Sequence, residues 1–322
     1  MITAYRTPSS SVYEMVALER QWSWFGIPGS PRRLTLRGSE LRADRARDVL
    51  HELHGSRQLH VSSAHLTAEH LPEILEAARA FRPQVVEGWP SSLAIFARLL
   101  REVDAVLPMQ AVITSSETIG TAQRTLFAAA FGGPIVDHYG QTERVAMAGN
   151  CERGSYHVFP DYGYVELLPV GEQEWEIVAT PLHNSGFILF RYRTGDVVGP
   201  AGEQSCPCGR AFPVLGPLDG RKEDYFVAAD GRLVPLPHRL IKNLTGLTEV
   251  QAVQLSPGRF EFRLVPGPGF DISSVQAMVR DNVGHVVGPG QEVTFREMSH
   301  IPRTVGGKLP STVRLDSSED RR

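Results

Sequence analysis

The stretch Asp137-His138-Tyr139-Gly140-Gln141-Thr142-Glu143 directly follows the short apolar segment Pro134-Ile135-Val136. A short apolar run bounded by a turn residue is typical of a buried strand. We therefore predict that the chain turns at Gly140 and that the next three polar residues lie at the C-terminal edge of a sheet. Such a turn can place hydrogen-bond donors on a phosphate and a carboxylate on its Mg²⁺. On spacing alone, a polar turn at the end of a strand is the better interpretation.

The composition is that of an ordinary globular protein with no strong charge bias. Of 322 residues, 42% are hydrophobic and 21% are charged, and the net charge is −3. This charge predicts no binding to nucleic acid or to an anionic membrane. No apolar run approaches the roughly 20 residues of a membrane helix, and residues 1–6 contain no signal-peptide core. We expect a cytoplasmic location.

The first half of the chain alternates between helical and strand patterns, which predicts an α/β fold with parallel βαβ units. Predicted helices cover residues 10–25, 67–80 (capped by Thr67), 90–102 and 121–131, and predicted strands cover 33–36, 85–86, 109–113 and 134–136. After Glu143 the pattern changes to short strands between turn residues, typical of antiparallel sheet. These strands are predicted at 157–159, 164–168, 175–178 and 187–190.

A boundary is predicted where residues 213–220 contain two prolines and two glycines. We expect a core domain over residues 1–219 and a small α+β lid domain over residues 220–322. Within the lid, the patterns predict strands at 250–255, 259–264 and 292–295 and a helix at 273–283.

Three further motifs follow the first stretch, and the four motifs in this order resemble those of a known superfamily. The three further motifs are Arg191-Tyr192-Arg193-Thr194-Gly195-Asp196, Gly220-Arg221-Lys222-Glu223-Asp224 and Pro302-Arg303-Thr304-Val305-Gly306-Gly307-Lys308. The set resembles the adenylate-forming superfamily of acyl- and aryl-CoA ligases, luciferases and peptide-synthetase adenylation domains. Three other stretches are similar to the phenylacetate-CoA ligase branch, namely 88–93 (GWPSSL), 114–117 (TSSE) and 206–210 (CPCGR). The resemblance runs from about residue 10 to residue 315.

The resemblance implies a truncated adenylate-forming N-terminal domain followed by the small lid domain. It implies ATP-dependent activation of an aromatic or small carboxylic acid as its acyl-adenylate. Transfer to CoA or another nucleophile would follow, with ATP, Mg²⁺ and CoA as cofactors. A homodimer is left open.

The resemblance assigns nucleotide contacts to residues of the first stretch. Glu143 is the candidate Mg²⁺ ligand, Tyr139 would lie against adenine, and Thr142 would donate to the α-phosphate. Gly140 and Gln141 would complete this nucleotide-binding turn. The alternatives are a solvated glutamate at position 143 and an ordinary packing aromatic at position 139.

Other nucleotide contacts are expected downstream and upstream of that turn. Asp196 would accept both ribose hydroxyls and Arg221 would be its partner, although Thr-Gly-Asp is also good turn chemistry. Ser116 and Glu117 would border the adenine, or would cap the helix that follows. The superfamily places its hinge two residues after the arginine, usually at an aspartate, whereas this chain has Glu223 there.

Catalysis and acid binding are assigned to two further groups. Lys308, one of three lysines in the chain, lies in a glycine-rich loop. There a compact cation would stabilise the charged transition state, and the alternative is an exposed loop lysine. Trp89, Pro90 and Ser91 resemble a segment that lines the acyl pocket, with helix initiation as the alternative. His138 would face the acid, or would be structural.

Cys151, His157, Cys206 and Cys208 form a C-x₅-H and C-x-C set that suits a tetrahedral structural Zn²⁺ site. Some relatives in the phenylacetate-CoA ligase branch have this arrangement with bound zinc. The alternatives are three reduced thiols with an unrelated histidine, or His183 as the fourth ligand.

One motif of the superfamily has no match in these 322 residues. This is the Ser/Thr/Gly-rich loop whose backbone N–H groups hold the β- and γ-phosphates. The sequence therefore resembles a member whose front has been lost or lies on another polypeptide, and a partner that supplies the loop is expected. The alternative function is a partner-dependent or non-catalytic homologue that binds nucleotide or acyl ligand without adenylating alone.

Overall fold

The computed structural model of the chain describes residues 4–37, 49–53, 57–200, 206–221, 225–235, 237–304 and 309–315. The protein divides into two compact units. The first comprises Met1–Thr118 and Leu126–Leu218, and the second comprises Ile119–Thr125 and Asp219–Arg322. The domains expected over residues 1–219 and 220–322 stay a prediction.

The first unit contains a nine-stranded sheet in the order β12-β8-β7-β6-β5-β4-β1-β3-β2 among the described residues. Its strands are β1 (Arg33–Arg37), β2 (Leu50–Leu53), β3 (Gln58–Ser62), β4 (Val85–Gly88), β5 (Ala111–Ser115), β6 (Ile135–Gly140), β7 (Met147–Asn150), β8 (Tyr156–Val158) and β12 (Val214–Leu215). Strands β3, β1, β4, β5 and β6 are mutually parallel. Helices α2 (Leu71–Phe81), α3 (Pro90–Glu102) and α4 (Thr121–Phe131) connect β3 to β6. The predicted parallel βαβ units are confirmed.

A second, antiparallel sheet has the order β13-β11-β10-β9. Its strands are β9 (Gly163–Gly171), β10 (Glu174–Pro181), β11 (Tyr192–Val198) and β13 (Leu218–Arg221). The strand predicted at residues 187–190 is wrong. The chain turns there instead, with the N–H of Phe187 donating to the carbonyl of Asn184 at 3.4 Å, and Ile188 and Phe190 are 75% and 78% exposed.

Helix α1 (Pro8–Trp24) covers one face of the parallel strands. The Thr7 side chain caps it by accepting from the Ser10 N–H at 3.2 Å, and Pro8 stands at the first helical position, where its missing N–H is not needed. Trp22 is 1% exposed and packs with Ile113 of β5 and Val136 of β6. This apolar contact fixes α1 on the sheet.

The predicted start of α2 at Thr67 is wrong. The helix begins at Leu71, and its N-cap residue His70 makes no side-chain capping bond. Pro72 lies in the first turn, where proline is favoured, so the helix begins beside the proline rather than at the threonine.

The second unit contains a four-stranded sheet in the order β18-β17-β16-β19 and the pair β14-β15. The strands are β14 (Tyr225–Val227), β15 (Leu233–Pro235), β16 (Leu247–Ser256), β17 (Arg259–Pro266), β18 (Glu292–Glu297) and β19 (Thr312–Arg314). Helix α5 (Ile272–Val286) is capped by Asp271 and buries valines spaced four residues apart, Val275, Val279 and Val283. The predicted helix at 273–283 lies within it.

Strand β16 binds the chain on both sides of residues 305–308. Glu249 is a buried carboxylate that accepts from Arg303 Nη2 at 2.9 Å and from the Ile301 N–H at 3.1 Å. Gln251 Nε2 donates to the carbonyl of Pro310 at 2.8 Å. These two contacts hold the segments that precede and follow Lys308.

None of the helices in the described ranges is both long enough and apolar enough to span a membrane.

Candidate active site and metal centre

The polar turn that follows β6 lies at the C-terminal edge of the parallel strands, as predicted. The chain turns two residues after Gly140 rather than at Gly140 itself. Strand β7 pairs with β6 up to Gly140 and so keeps that glycine extended. The chain turns at Thr142 and Glu143 instead. Gln141 closes the turn, because its backbone carbonyl accepts from the Arg144 N–H at 3.0 Å.

Glu143 and Thr142 project from this turn in different environments. One carboxylate oxygen of Glu143 accepts from the Tyr192 hydroxyl at 3.2 Å. Thr142 is exposed, and its backbone carbonyl accepts from Arg6 Nη2 at 3.2 Å. Backbone groups and one carboxylate oxygen of Glu143 therefore hold the turn. This arrangement suits a carboxylate that also binds a cation.

Tyr139 and Asp196 are 57 residues apart in sequence and meet in the structure. The Tyr139 hydroxyl donates to Asp196 Oδ2 at 2.7 Å. Asp196 lies on β11 next to Gly195, whose φ of +74° strongly favours glycine. Burial, together with the Asp196 charge, raises the pKa of Tyr139, so its hydroxyl stays a hydrogen-bond donor. Two residues that were assigned to one nucleotide are thus joined directly.

Asp137 is a structural residue that the sequence analysis left without a role. It is 7% exposed, and its carboxylate accepts from Thr114 Oγ1 at 2.5 Å and from the Tyr156 hydroxyl. Its backbone N–H donates to Asn150 Oδ1 at 2.8 Å. Gln21 of α1 donates to the Asp137 carbonyl at 2.8 Å. This buried network ties the middle of β6 to α1 and to its neighbouring strands, and no local sequence pattern predicts it.

Glu117 binds the start of α3. Its two carboxylate oxygens accept from the backbone N–H and the hydroxyl of Ser91, both at 2.9 Å. Ser91 is fully buried in the first turn of α3, beside Pro90, and Trp89 is the N-cap residue. The carboxylate thus satisfies donors at a helix N-terminus, where negative charge is favourable. Ser116 has a φ of +70° and turns the chain between β5 and Glu117.

We expect Glu117→Ala to lower the free energy of unfolding by about 1–3 kcal/mol, because two donors at the start of α3 lose their acceptor. Chemical denaturation of the parent and the variant measures this. The matched control is Glu73→Ala, which removes an exposed glutamate from the first turn of α2. A variant that keeps its stability but loses affinity for AMP would instead place Glu117 at the adenine.

His138 lies on β6 opposite Ser115 of β5. Burial, and after it the charge of Arg37, lowers the pKa of His138 to about 4. The imidazole is therefore neutral at neutral pH.

The four predicted zinc ligands come together. Ligand atoms of Cys151, His157, Cys206 and Cys208 all lie within 4.8 Å of one another. Cys151 Sγ is 3.7 Å from Cys206 Sγ, and Cys208 Sγ is 3.3 Å from His157 Nε2. His183 lies elsewhere, its ring stacked on that of Tyr13 at 5.1 Å. The structure therefore groups His157, not His183, with the cysteines.

The surroundings of this cluster suit a cation. His157 Nδ1 lies 3.1 Å from the Phe212 carbonyl, so a proton on Nδ1 leaves the Nε2 lone pair facing the sulfurs. Hydrogen bonds from Ser155, then from Cys208, lower the pKa of Cys206 to about 6, whereas burial raises the pKa of Cys151. Three cysteine sulfurs, of which that of Cys206 is mostly ionised at neutral pH, and a buried imidazole form a donor set that fits tetrahedral Zn²⁺.

Three predicted features lie partly or wholly outside the described residues. Lys308 and the hinge candidates Glu223 and Asp224 are outside them. Arg221 is the last residue of β13, and only its backbone is described.

No protein-family model matches the chain. Phenylacetate-coenzyme A ligase from Thermus thermophilus is 24% identical over 270 residues, which cover 71% of this chain and 60% of that protein. The chain thus spans less than two thirds of this relative.

Solved structures match more of the chain. The crystal structure of 2-hydroxyisobutyryl-CoA ligase in the postadenylation state, in complex with R3-HIB-AMP, gives a TM-score of 0.65 at 18% identity. The match covers 95% of this chain and 69% of that one. The chain has the adenylate-forming ligase fold. Anthranilate CoA ligase in complex with anthranoyl-AMP matches with a TM-score of 0.54 at 14% identity, covering 92% of this chain and 61% of that ligase. The predicted α/β class and the predicted resemblance are confirmed.

Within the adenylate-forming fold, the described residues form two clusters at the ends of strands. Tyr139 and Asp196 meet beside the turn that carries Glu143, and the cysteine–histidine cluster includes Cys151 and His157 of the β7–β8 hairpin. Glu117 and Ser91 are bound to each other.

Proposed function

We propose that the protein activates a carboxylic acid with ATP as an acyl-adenylate and transfers the acyl group to CoA. The observation that carries the proposal is the Tyr139–Asp196 hydrogen bond at the C-terminal edge of the sheet. It joins two of the four adenylation motifs. The turn that carries Thr142 and Glu143 begins two residues after Tyr139.

Each residue has a distinct part in the proposal. Asp196 and Arg221 bind the ribose hydroxyls, Tyr139 supports the adenine, and Thr142 donates to the α-phosphate. Glu143 offers carboxylate oxygen to Mg²⁺, which neutralises phosphate charge when bound. Lys308 stabilises negative charge that develops on the reacting phosphate and carboxylate oxygens.

The acid would lie beside His138 and the start of α3, where Trp89, Pro90 and Ser91 stand. Ser91 is committed to Glu117, so we propose that it shapes this region rather than binding the acid. Zn²⁺ held by the three cysteines and His157 would be structural, since four protein ligands leave no open position.

We further propose that the β- and γ-phosphates are bound by a segment outside the sequence motifs found here, which an upstream in-frame segment or a neighbouring polypeptide would supply. Titration of the 322-residue chain with AMP and with Mg-ATP tests this. AMP is expected to bind at least as tightly as Mg-ATP, because its contacts do not need that segment. Tighter binding of Mg-ATP would show that the chain itself holds the outer phosphates.

Asp196→Asn is expected to raise the Kd for AMP at least about tenfold, because the charge-assisted bonds to the ribose hydroxyls are weakened. The asparagine oxygen still accepts from Tyr139, so the fold should be retained. Isothermal titration calorimetry measures the affinity. The control is Asp230→Asn, which changes an aspartate whose side chain is 67% exposed. Equal affinity of D196N and the parent would contradict the proposed ribose contact.

A further inference from the structure

A group of polar side chains lies on one face of the parallel sheet, close to its C-terminal edge. Thr35 of β1 pairs with Glu87 of β4, Glu87 with Ile113 of β5, and Ile113 with Val136 of β6. Residues two apart on a strand share a face. Arg37 and His138 therefore stand on the same face as Thr35 and Glu87, one step nearer the edge. We call Thr35, Arg37, Glu87 and His138 the polar face cluster.

Glu87 binds two arginines at once. Arg37 Nη2 is 2.8 Å from its Oε1, and Arg33 Nη1 is 3.4 Å from its Oε2. The Glu87 side chain is only 13% exposed. Two guanidinium groups and one carboxylate leave one net positive charge, since His138 is neutral. A charge in a partly buried position favours a negative or electron-rich partner.

Three polar atoms of the polar face cluster are buried without a hydrogen-bond partner in the described ranges. They are Thr35 Oγ1, Arg37 Nε and His138 Nδ1. Thr35 is 2% exposed. A buried polar group without a partner is destabilising, so three such atoms on one face indicate that a ligand supplies their partners. Arg33 contrasts with Arg37, because its guanidinium stacks over Trp22 at 5.5 Å.

The surroundings of the cluster suit an organic acid. Trp22, Ile113 and Val136 form a buried apolar cluster on the same face, on the side away from the C-terminal edge. His138 directly precedes Tyr139, which holds Asp196. An acid whose carboxylate meets the nucleotide at this edge, and whose far end lies on the His138 face of β6, would have polar atoms beside that far end.

We propose that the polar face cluster selects acids whose end remote from the reacting carboxylate bears a hydrogen-bond acceptor, a hydroxyl or a second carboxylate, over acids with a bare hydrocarbon end. The unpartnered Arg37 Nε–H can only donate, and the net positive charge also favours an acceptor. This inference rests on the proposed function, because it names the substrate class of that site.

The test uses stable acyl-adenylate mimics, acyl sulfamoyl adenosines, which need no bound outer phosphates. Calorimetry compares phenylacetyl, hydroxyphenylacetyl and carboxyphenylacetyl mimics, the substituted ones in both meta and para forms, with AMP as the reference ligand. At least one substituted mimic is expected to bind about tenfold or more tightly than the phenylacetyl mimic, because one hydrogen bond to a charged group is worth about 1.5–3 kcal/mol. The hydroxyl and carboxylate arms show which acceptor is preferred.

Variants connect the preference to the cluster. Arg37→Met is expected to lower the affinity for the preferred mimic at least about fivefold while leaving the phenylacetyl mimic and AMP within twofold of the parent. The matched control is Arg79→Met, which changes an exposed arginine of α2. If Arg37→Met is poorly folded by thermal denaturation, His138→Ile keeps both Arg–Glu pairs and is expected to reduce the same preference.

The outcomes separate the two proposals. If AMP binds and the phenylacetyl mimic binds as tightly as every substituted one, the substrate class is wrong and the proposed function stands. A preference that survives both Arg37→Met and His138→Ile also overturns the assignment to this cluster. If neither AMP nor any mimic binds, the proposed function fails and this inference fails with it.

Discussion

Replacing Lys308 with alanine is expected to lower the rate of acid-dependent pyrophosphate release about 10²–10³-fold, because one oriented charge contact to the transition state is lost. Affinity for AMP should remain that of the parent, since the lysine acts on the reacting oxygens rather than on the nucleoside. The contacts of Glu249 with Ile301 and Arg303, and of Gln251 with Pro310, hold the segments before and after Lys308 against β16. These contacts do not involve the lysine side chain, so the variant should fold.

The matched control for Lys308→Ala is Lys242→Ala, which removes an exposed lysine of the second unit. Equal pyrophosphate release by K308A and the parent would remove Lys308 from the mechanism. Loss of AMP affinity in K308A would assign the lysine to nucleotide binding instead.

Loss of one zinc ligand is expected to have the largest effect on stability. Protein purified without chelator should contain about one zinc per chain. His157→Asn should lose this zinc, and its free energy of unfolding should fall by more than about 4 kcal/mol, because metal binding is coupled to folding. Metal analysis and denaturation measure the two effects.

His183→Asn is the control for the zinc experiment, because the half-buried His183 also packs against aromatic rings yet lies outside the cluster. It should retain the metal. Parent protein without zinc, or zinc retained by H157N and lost by H183N, would contradict the assigned ligand set.

The spacing of apolar residues correctly predicted those helices and strands whose buried side chains lie close together in the sequence. Helix α4 was placed at residues 121–131, as observed, because its apolar residues repeat along one face. The start of α2 was predicted wrongly because Thr67, a good capping residue, stands four residues before Leu71, whereas the helix begins beside Pro72 in its first turn. The strand predicted at 187–190 does not form, because this apolar run follows a turn and Ile188 and Phe190 stay exposed.

In the candidate site, the motifs predicted individual residues, whereas no local pattern predicted which residues contact one another. The sequence placed Tyr139 and Asp196 in separate motifs, and only their common family role predicted that they would approach each other. The hydrogen bonds of Glu117 with Ser91 and those of the network around Asp137 join residues at least 13 positions apart. No local pattern encodes such contacts, because they depend on which strands become neighbours.

The measurement that tests the central claim most directly is acid-dependent exchange of labelled pyrophosphate into ATP by the 322-residue chain. Exchange requires reversible formation of an acyl-adenylate, and it does not require CoA. A panel of aryl and small hydroxy acids should include at least one that supports slow exchange, which Lys308→Ala abolishes. Protein that binds AMP yet catalyses no exchange with any acid, even at high Mg-ATP concentration, would contradict the account and favour a nucleotide-binding homologue that does not adenylate alone.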